Sequence, residues 1–225
     1  MEKGYEKTYQ WVKGLLKQCD FSDSAKRLGL KQVAEHTVLL DFFDRTYQIT
    51  KDAIELIEQK TAWPVDSEEY EYNLKSVLGY YVLSDANIEP AYEYSVLWHF
   101  SGGVFRESSS WLSMLNNTFS ETFGNRYEPF KAIMDTYGMD YEEGSRSGKY
   151  IWNYRLLPKL PIKWVFYEGD EEYPSKLQIL YDNHALKIFN FEQLSVLHGS
   201  IFTLLVALGK NQRSTGTRTI DGSVI

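Results

Sequence analysis

Residues 156–174 read LLPKLPIKWVFYEGDEEYP. An apolar approach, Leu156-Leu157-Pro158-Lys159-Leu160-Pro161, leads into the β-prone run Ile162 to Tyr167 and then into a turn carrying Glu168, Asp170, Glu171 and Glu172. Just upstream, Tyr150, Trp152, Tyr154 and Leu156 alternate with Ile151, Asn153 and Arg155, the two-residue period of a strand with one aromatic face. The prolines separate the runs, so the passage predicts strands over 150–157 and 162–167. A connection this short joins antiparallel neighbours, because parallel strands need a long crossover.

Outward from this passage, β-prone and helical segments alternate. Thr37 to Phe43 and Thr46 to Thr50 flank Asp44-Arg45, the pattern of a hairpin within 36–50, and 94–100 reads as a further strand ending at Ser101-Gly102-Gly103. Leu177 to Tyr181 fits a strand or a short helix, and 51–60 reads as a short helix without a clear period. Tyr5, Tyr9, Val12, Leu16 and Cys19 share one helical face, and Ser22 to Leu28 forms a second helix closed by Gly29. Asp66 with Glu69 makes a capping box ahead of Tyr70, Leu74, Val77, Leu78 and Tyr81. Helices are expected near 109–123 and 126–137, the latter capped by Asn125 with Glu128 and left at Gly138. Asn190 and Gln193 cap the last helix, whose apolar stripe is Phe191, Leu194, Leu197, Ile201, Leu204 and Leu208, with Gly209 as its stop. The expected fold is α+β: a mainly antiparallel sheet with helices packed largely on one face, residues 1–209 forming one domain and 210–225 a flexible polar tail.

Composition narrows the function classes. With 24 basic and 31 acidic residues the net charge is −7, so the average surface repels phosphate backbones and no nucleic-acid partner is expected. No uninterrupted apolar run approaches the ~20 residues of a membrane span, and the N-terminus lacks the apolar core of a signal peptide; the expectation is a cytoplasmic protein with no membrane partner. One cysteine, Cys19, excludes an intramolecular disulfide and any site built on several thiolates. Aromatic residues make up 16% of the chain, enough for a ring-rich core or an aromatic-lined pocket to which Trp152 and Trp164 would contribute.

The run LPKLPIKWVFYEGDEEYPSKLQILYDNHALKIFNFEQLSVL, with Phe100-Ser101-Gly102-Gly103 and Phe123-Gly124-Asn125 upstream, resembles the bacterial and archaeal family catalogued as domain of unknown function 3786 over roughly residues 5–208. The resemblance implies a compact α+β domain of anaerobes, sometimes attached to an iron–sulfur segment and sometimes encoded near corrinoid and one-carbon metabolism proteins. It carries over no activity, and with a single cysteine no iron–sulfur segment is expected among these 225 residues.

Two sets of residues are candidates for chemistry. Glu168, Asp170 and Glu172, joined by Asp182, offer oxygen donors to a divalent cation, the one cofactor the chain suggests, or a raised carboxyl pKa for acid–base hydrolysis; a solvated turn needs the same charges. Alternation along an extended segment predicts that Glu168 makes a local contact while Asp170 and Glu171 face solvent. His99 lies near Gly102 and Gly103, where backbone can approach a ligand. No two histidines have the spacing of a zinc motif, and Walker, dinucleotide and nucleophile-elbow patterns are missing. The expectation is a non-catalytic accessory or ligand-binding protein for an unidentified small molecule or protein partner, with a carboxylate-driven or metal-assisted hydrolase and a structural interaction module as alternatives.

Overall fold

A computed structural model of the chain describes residues 3–124, 127–143 and 148–216, the last four without their side chains. Its fold is α+β, with every strand pairing antiparallel. The strands form two sheets where the sequence suggested one. Strands β1 (Lys31–Ala34), β2 (Thr37–Phe42), β3 (Arg45–Thr50) and β4 (Ile54–Gln59) make a meander in chain order. The second sheet has the order β5-β9-β8-β7-β6, built from β5 (Tyr94–Val96), β6 (Asp140–Tyr141), β7 (Lys149–Leu157), β8 (Leu160–Tyr167) and β9 (Lys176–Asp182). Sequence-local neighbours occupy both edges of the β2–β3 hairpin, so it has no edge left for the later strands.

Within the meander, the turn of the β2–β3 hairpin is Phe43-Asp44, one residue earlier than expected, because Phe42 pairs with Arg45. Arg45 thereby joins the inward parity of Tyr47 and Ile49, and all three are buried. The 51–60 segment is β4 rather than a helix; only Ile54 is buried on this edge strand, so it shows no alternation. In the other sheet, Trp152 pairs with Trp164 and Tyr150 with Phe166, which puts these rings on one face. Phe119 and Phe130 of the helices pack on Phe166 and Trp152, and Phe43 of the β2–β3 turn packs on Trp164 and Tyr154.

Helix α1 (Gly4–Leu16) packs on α3 (Glu68–Leu83) through Tyr9, Val12 and Leu16. They approach closely at Gly79, where an added Cβ would lie 2.3 Å from Val12 Cγ1. Helix α2 (Phe21–Leu28) is capped by Asp20 and closed by Gly29 at φ 70, as expected. The N-cap of α3 is Ser67, which accepts from the Tyr70 amide, in place of Asp66. After α4 (Ser110–Phe123) and α5 (Tyr127–Thr136), Gly138 takes φ 63. Asn125 lies outside the described residues, as does the tail beyond Gly216.

The short helix α6 (Ala185–Ile188) precedes α7 (Phe191–Gly216), whose start is held by reciprocal bonds between Asn190 and Gln193. Its core positions Leu194, Leu197, Ile201 and Leu204 are buried. Gly209 does not end this helix: a Cβ there would meet the Phe123 ring at 2.6 Å, so glycine permits the contact with α4. By length and composition Phe191–Gln212 would suffice to cross a bilayer, although its apolar stripe lies in the core here. The buried residues of both sheets and all the longer helices join in one cluster.

Candidate ligand-binding site

The residues singled out in the sequence do not meet at one place. His99 is exposed in a 3-10 turn, Leu97–Ser101, that replaces the end of the expected strand. Gly102 and Gly103 follow at φ 62 and 90 with nothing within 4 Å of an added Cβ, so the turn, and no close approach, calls for glycine. Trp152 and Trp164 are buried in the β7–β8 face instead of lining an open pocket.

The acidic turn is tied up locally. The Tyr150 hydroxyl donates to Glu168 at 3.1 Å, the expected local contact. Asp170 is exposed, as expected, and also accepts from the amides of Glu172 and Tyr173 at 2.9 and 2.8 Å, which shapes the loop. Asp182 is buried and accepts from the amides of Ala91, Tyr92 and His184, which pins the chain leading into β5. Among the described residues no three His, Cys, Asp or Glu side chains converge to hold a metal.

A different constellation stands out. Arg45 is 6% exposed, an uncommon position for a charge. Its Nε donates to Gln59 at 3.1 Å, its Nη1 donates to the Tyr47 hydroxyl at 3.1 Å and to Glu71, and its plane lies 4.0 Å from the Trp63 ring centroid. Burial opposes the Arg45 charge, but the bonds to Glu71 and Tyr47 outweigh it and hold its pKa above the ordinary value. Burial, with the Glu71 charge, pushes Tyr47 up to about 12, so the phenol stays protonated. Among the described residues Nη2 has no hydrogen-bond acceptor.

Arg45 lines a cavity of about 560 Å³ between α1, α3, β4 and the 60–67 connection. Glu55, Asp66, Glu68 and Glu71 stand around it against Arg45 and Lys75, while Tyr9, Tyr72, Ile54 and Val65 give apolar wall. A cationic floor under an acidic rim can hold both ends of a small dipolar molecule. Other depressions hold no buried charge: a polar one at Arg106 and Lys176, an apolar groove between α4 and α7, and one where α3, α4 and α7 meet.

Beside Trp63 lies a second polar feature. The ring of Phe43 is surrounded by Trp63, Tyr137, Tyr154 and Trp164, with centroids 5.2–6.4 Å away. Among the described residues Trp63 Nε1, Trp164 Nε1, Asp44 Oδ1 and the hydroxyls of Tyr70 and Tyr137 are buried here without a hydrogen-bond partner; Thr61 lies near enough to Tyr137 to lower its pKa, against the larger rise from burial. Each such group costs ~1–3 kcal/mol if it stays unpaired, so five together rival the ~5–15 kcal/mol net stability of a domain.

Sequence reasoning missed Arg45 because Asp44-Arg45 was read as the turn; the parity of Arg45, Tyr47 and Ile49 was the signal that placed it inward. The model of the family described as "Domain of unknown function (DUF3786)" matches residues 20–203, most of the chain, and the chain belongs to that family. No curated protein and no solved structure matches it.

Proposed function

We propose that this member of the DUF3786 family is a non-catalytic binding protein, and that its cavity at Arg45 takes a small zwitterion of the amino-acid kind. The observation that carries the reading is Arg45 itself: a guanidinium 6% exposed, fixed by Gln59, Tyr47 and Glu71, lining a cavity, with no acceptor for Nη2 among the described residues. A guanidinium so fixed is preorganised for a carboxylate, and the rim carboxylates Glu55 and Glu68 suit an ammonium. Tyr9 and Tyr72 would cover a short apolar body. Nothing in the site resembles a nucleophile paired with a base, which is why binding is preferred to catalysis. The anaerobic, corrinoid-linked setting implied by the family resemblance would make this an accessory role in one-carbon metabolism.

A thermal-shift screen of the common amino acids against matched amines and matched carboxylates tests the reading. Zwitterions should stabilise the protein more than either half-molecule. If neither class moves the melting temperature, the site does not bind such ligands.

A further inference from the structure

Phe43 is a large ring where the backbone favours glycine or asparagine. It holds the first position of the two-residue β2–β3 turn at φ 55. Its ring meets Tyr137 edge-on at 5.2 Å, stacks on Tyr154 at 5.5 Å and has Trp63 and Trp164 at 6.4 and 6.3 Å. None of Phe43, Tyr137, Tyr154 and Trp164 lines the Arg45 cavity.

The cage fits this ring in shape and not in polarity. Trp63 Nε1, Trp164 Nε1 and the hydroxyls of Tyr70 and Tyr137 are donors without an acceptor, and Asp44 Oδ1 is an acceptor without a donor. Tyr70 and Trp164 are 5% and 0% exposed, beyond the reach of bulk water. A phenyl ring satisfies none of them. Strained backbone and orphaned polar atoms at one place are the usual marks of a site whose structure serves binding.

We propose that this cage binds a flat, neutral heterocycle carrying both carbonyl and N–H groups, the lactam pattern of pyridones and of oxo-pyrimidine and oxo-purine bases, and that the Phe43 ring is the plug such a ligand displaces. Stacking on Tyr154 replaces the stacking of Phe43, the carbonyl oxygens accept from the indoles and phenols, and an N–H donates to Asp44. Neutrality follows from Asp44, since an anionic ligand would face a carboxylate with one oxygen already unpaired. Phe43 can leave because it sits at a hairpin tip rather than within a strand.

The test is an NMR titration of the full chain labelled with ¹⁵N at its tryptophan side chains, using uracil, hypoxanthine and 2-pyridone as probes and N-methyl-2-pyridone as the analogue lacking the N–H. The lactams should shift the Nε1–H signals of Trp63 and Trp164 and leave that of the exposed Trp11 in place. The N-methyl analogue should bind about tenfold more weakly, because Asp44 then gains no donor. Phe43→Gly, which suits the positive φ, should bind the lactams about tenfold or more tightly than the parent, since no plug has to leave. Should that variant not fold, Tyr137→Phe in the otherwise intact chain should weaken binding about fivefold to tenfold. Unmoved Trp63 and Trp164 signals in the parent and in whichever variant folds would overturn the proposal, as would equal affinity for 2-pyridone and its N-methyl analogue.

Discussion

The guanidinium of Arg45 is sandwiched by chemistry of two kinds: the face of Trp63, 4.0 Å from its carbon centre, and the carboxylate of Glu71, which shares Nη1 with the Tyr47 hydroxyl. Removing the cation strands a partly buried carboxylate, so Arg45→Met should destabilise the fold by about 2–3 kcal/mol, below the usual loss for a fully buried pair because Glu71 retains access to water. Arg45→Lys keeps the charge but loses the fork and the stacking, and should cost about 1–2 kcal/mol. Urea denaturation of both variants gives the comparison, and a Lys variant as stable as the parent would mean that the planar fork contributes nothing.

Gly79 should not tolerate alanine. Helix propensity alone favours Ala over Gly by ~1 kcal/mol, yet the new Cβ would lie 2.3 Å from Val12 Cγ1 and 3.0 Å from Ile54 Cδ1. Overpacking of this kind costs ~1–3 kcal/mol and should win. Gly79→Ala should therefore lower the urea midpoint, and adding Val12→Ala should recover part of the loss.

The last helix should prove to be core. Leu204 is fully buried, and Leu204→Ala should cost ~2–5 kcal/mol depending on how far the cavity collapses. A melting temperature within a degree of the parent would contradict this placement.

Legibility followed physical pattern. β7 and the α7 stripe were readable because their large apolar residues recur with a period of two and of three to four, and β8 because a short β-prone run, buried on both faces, lies between prolines and the acidic turn. β4 was not, because an edge strand with one buried residue leaves no alternation, and its Ile54 and Ile57 fall at helical spacing. Gly209 reads as a stop by composition, while its real reason is the Phe123 ring on another helix, a contact no local rule can see. The same limit hid the Arg45 cavity, which is assembled from α1, α3, β3 and β4 by contacts distant in sequence. Of the residues proposed for chemistry, Asp170 is bonded within its own loop, Glu168 accepts from Tyr150 on β7, and Asp182 accepts from the chain leading into β5 and from His184.

Stability should fall in mild acid through His198. This residue is 4% exposed, its Nδ1 lies 2.9 Å from the Tyr181 hydroxyl, and burial pushes its pKa down to about 3. The unfolded chain takes up the proton near pH 6.5 and the folded one does not, so the unfolded state binds more protons between those values and stability rises with pH there. The contribution is full above pH 6.5 and about 2 kcal/mol smaller at pH 5. His198→Gln should flatten the parent's slope between pH 5 and 7 in urea titrations; an unchanged slope would mean that His198 is protonated in the fold.

Calorimetric titration of the full chain with an amino acid selected by the thermal-shift screen tests the binding reading most directly. The account predicts saturable one-site binding that weakens about tenfold in a Glu55→Gln, Glu68→Gln double variant, whose changes lie at exposed positions of the cavity lining and should leave the fold intact. It predicts loss of binding in Arg45→Lys, with circular dichroism as the check that the variant is folded. Binding of equal strength in the parent and in all these variants, or no binding by the folded parent at millimolar ligand, would contradict it.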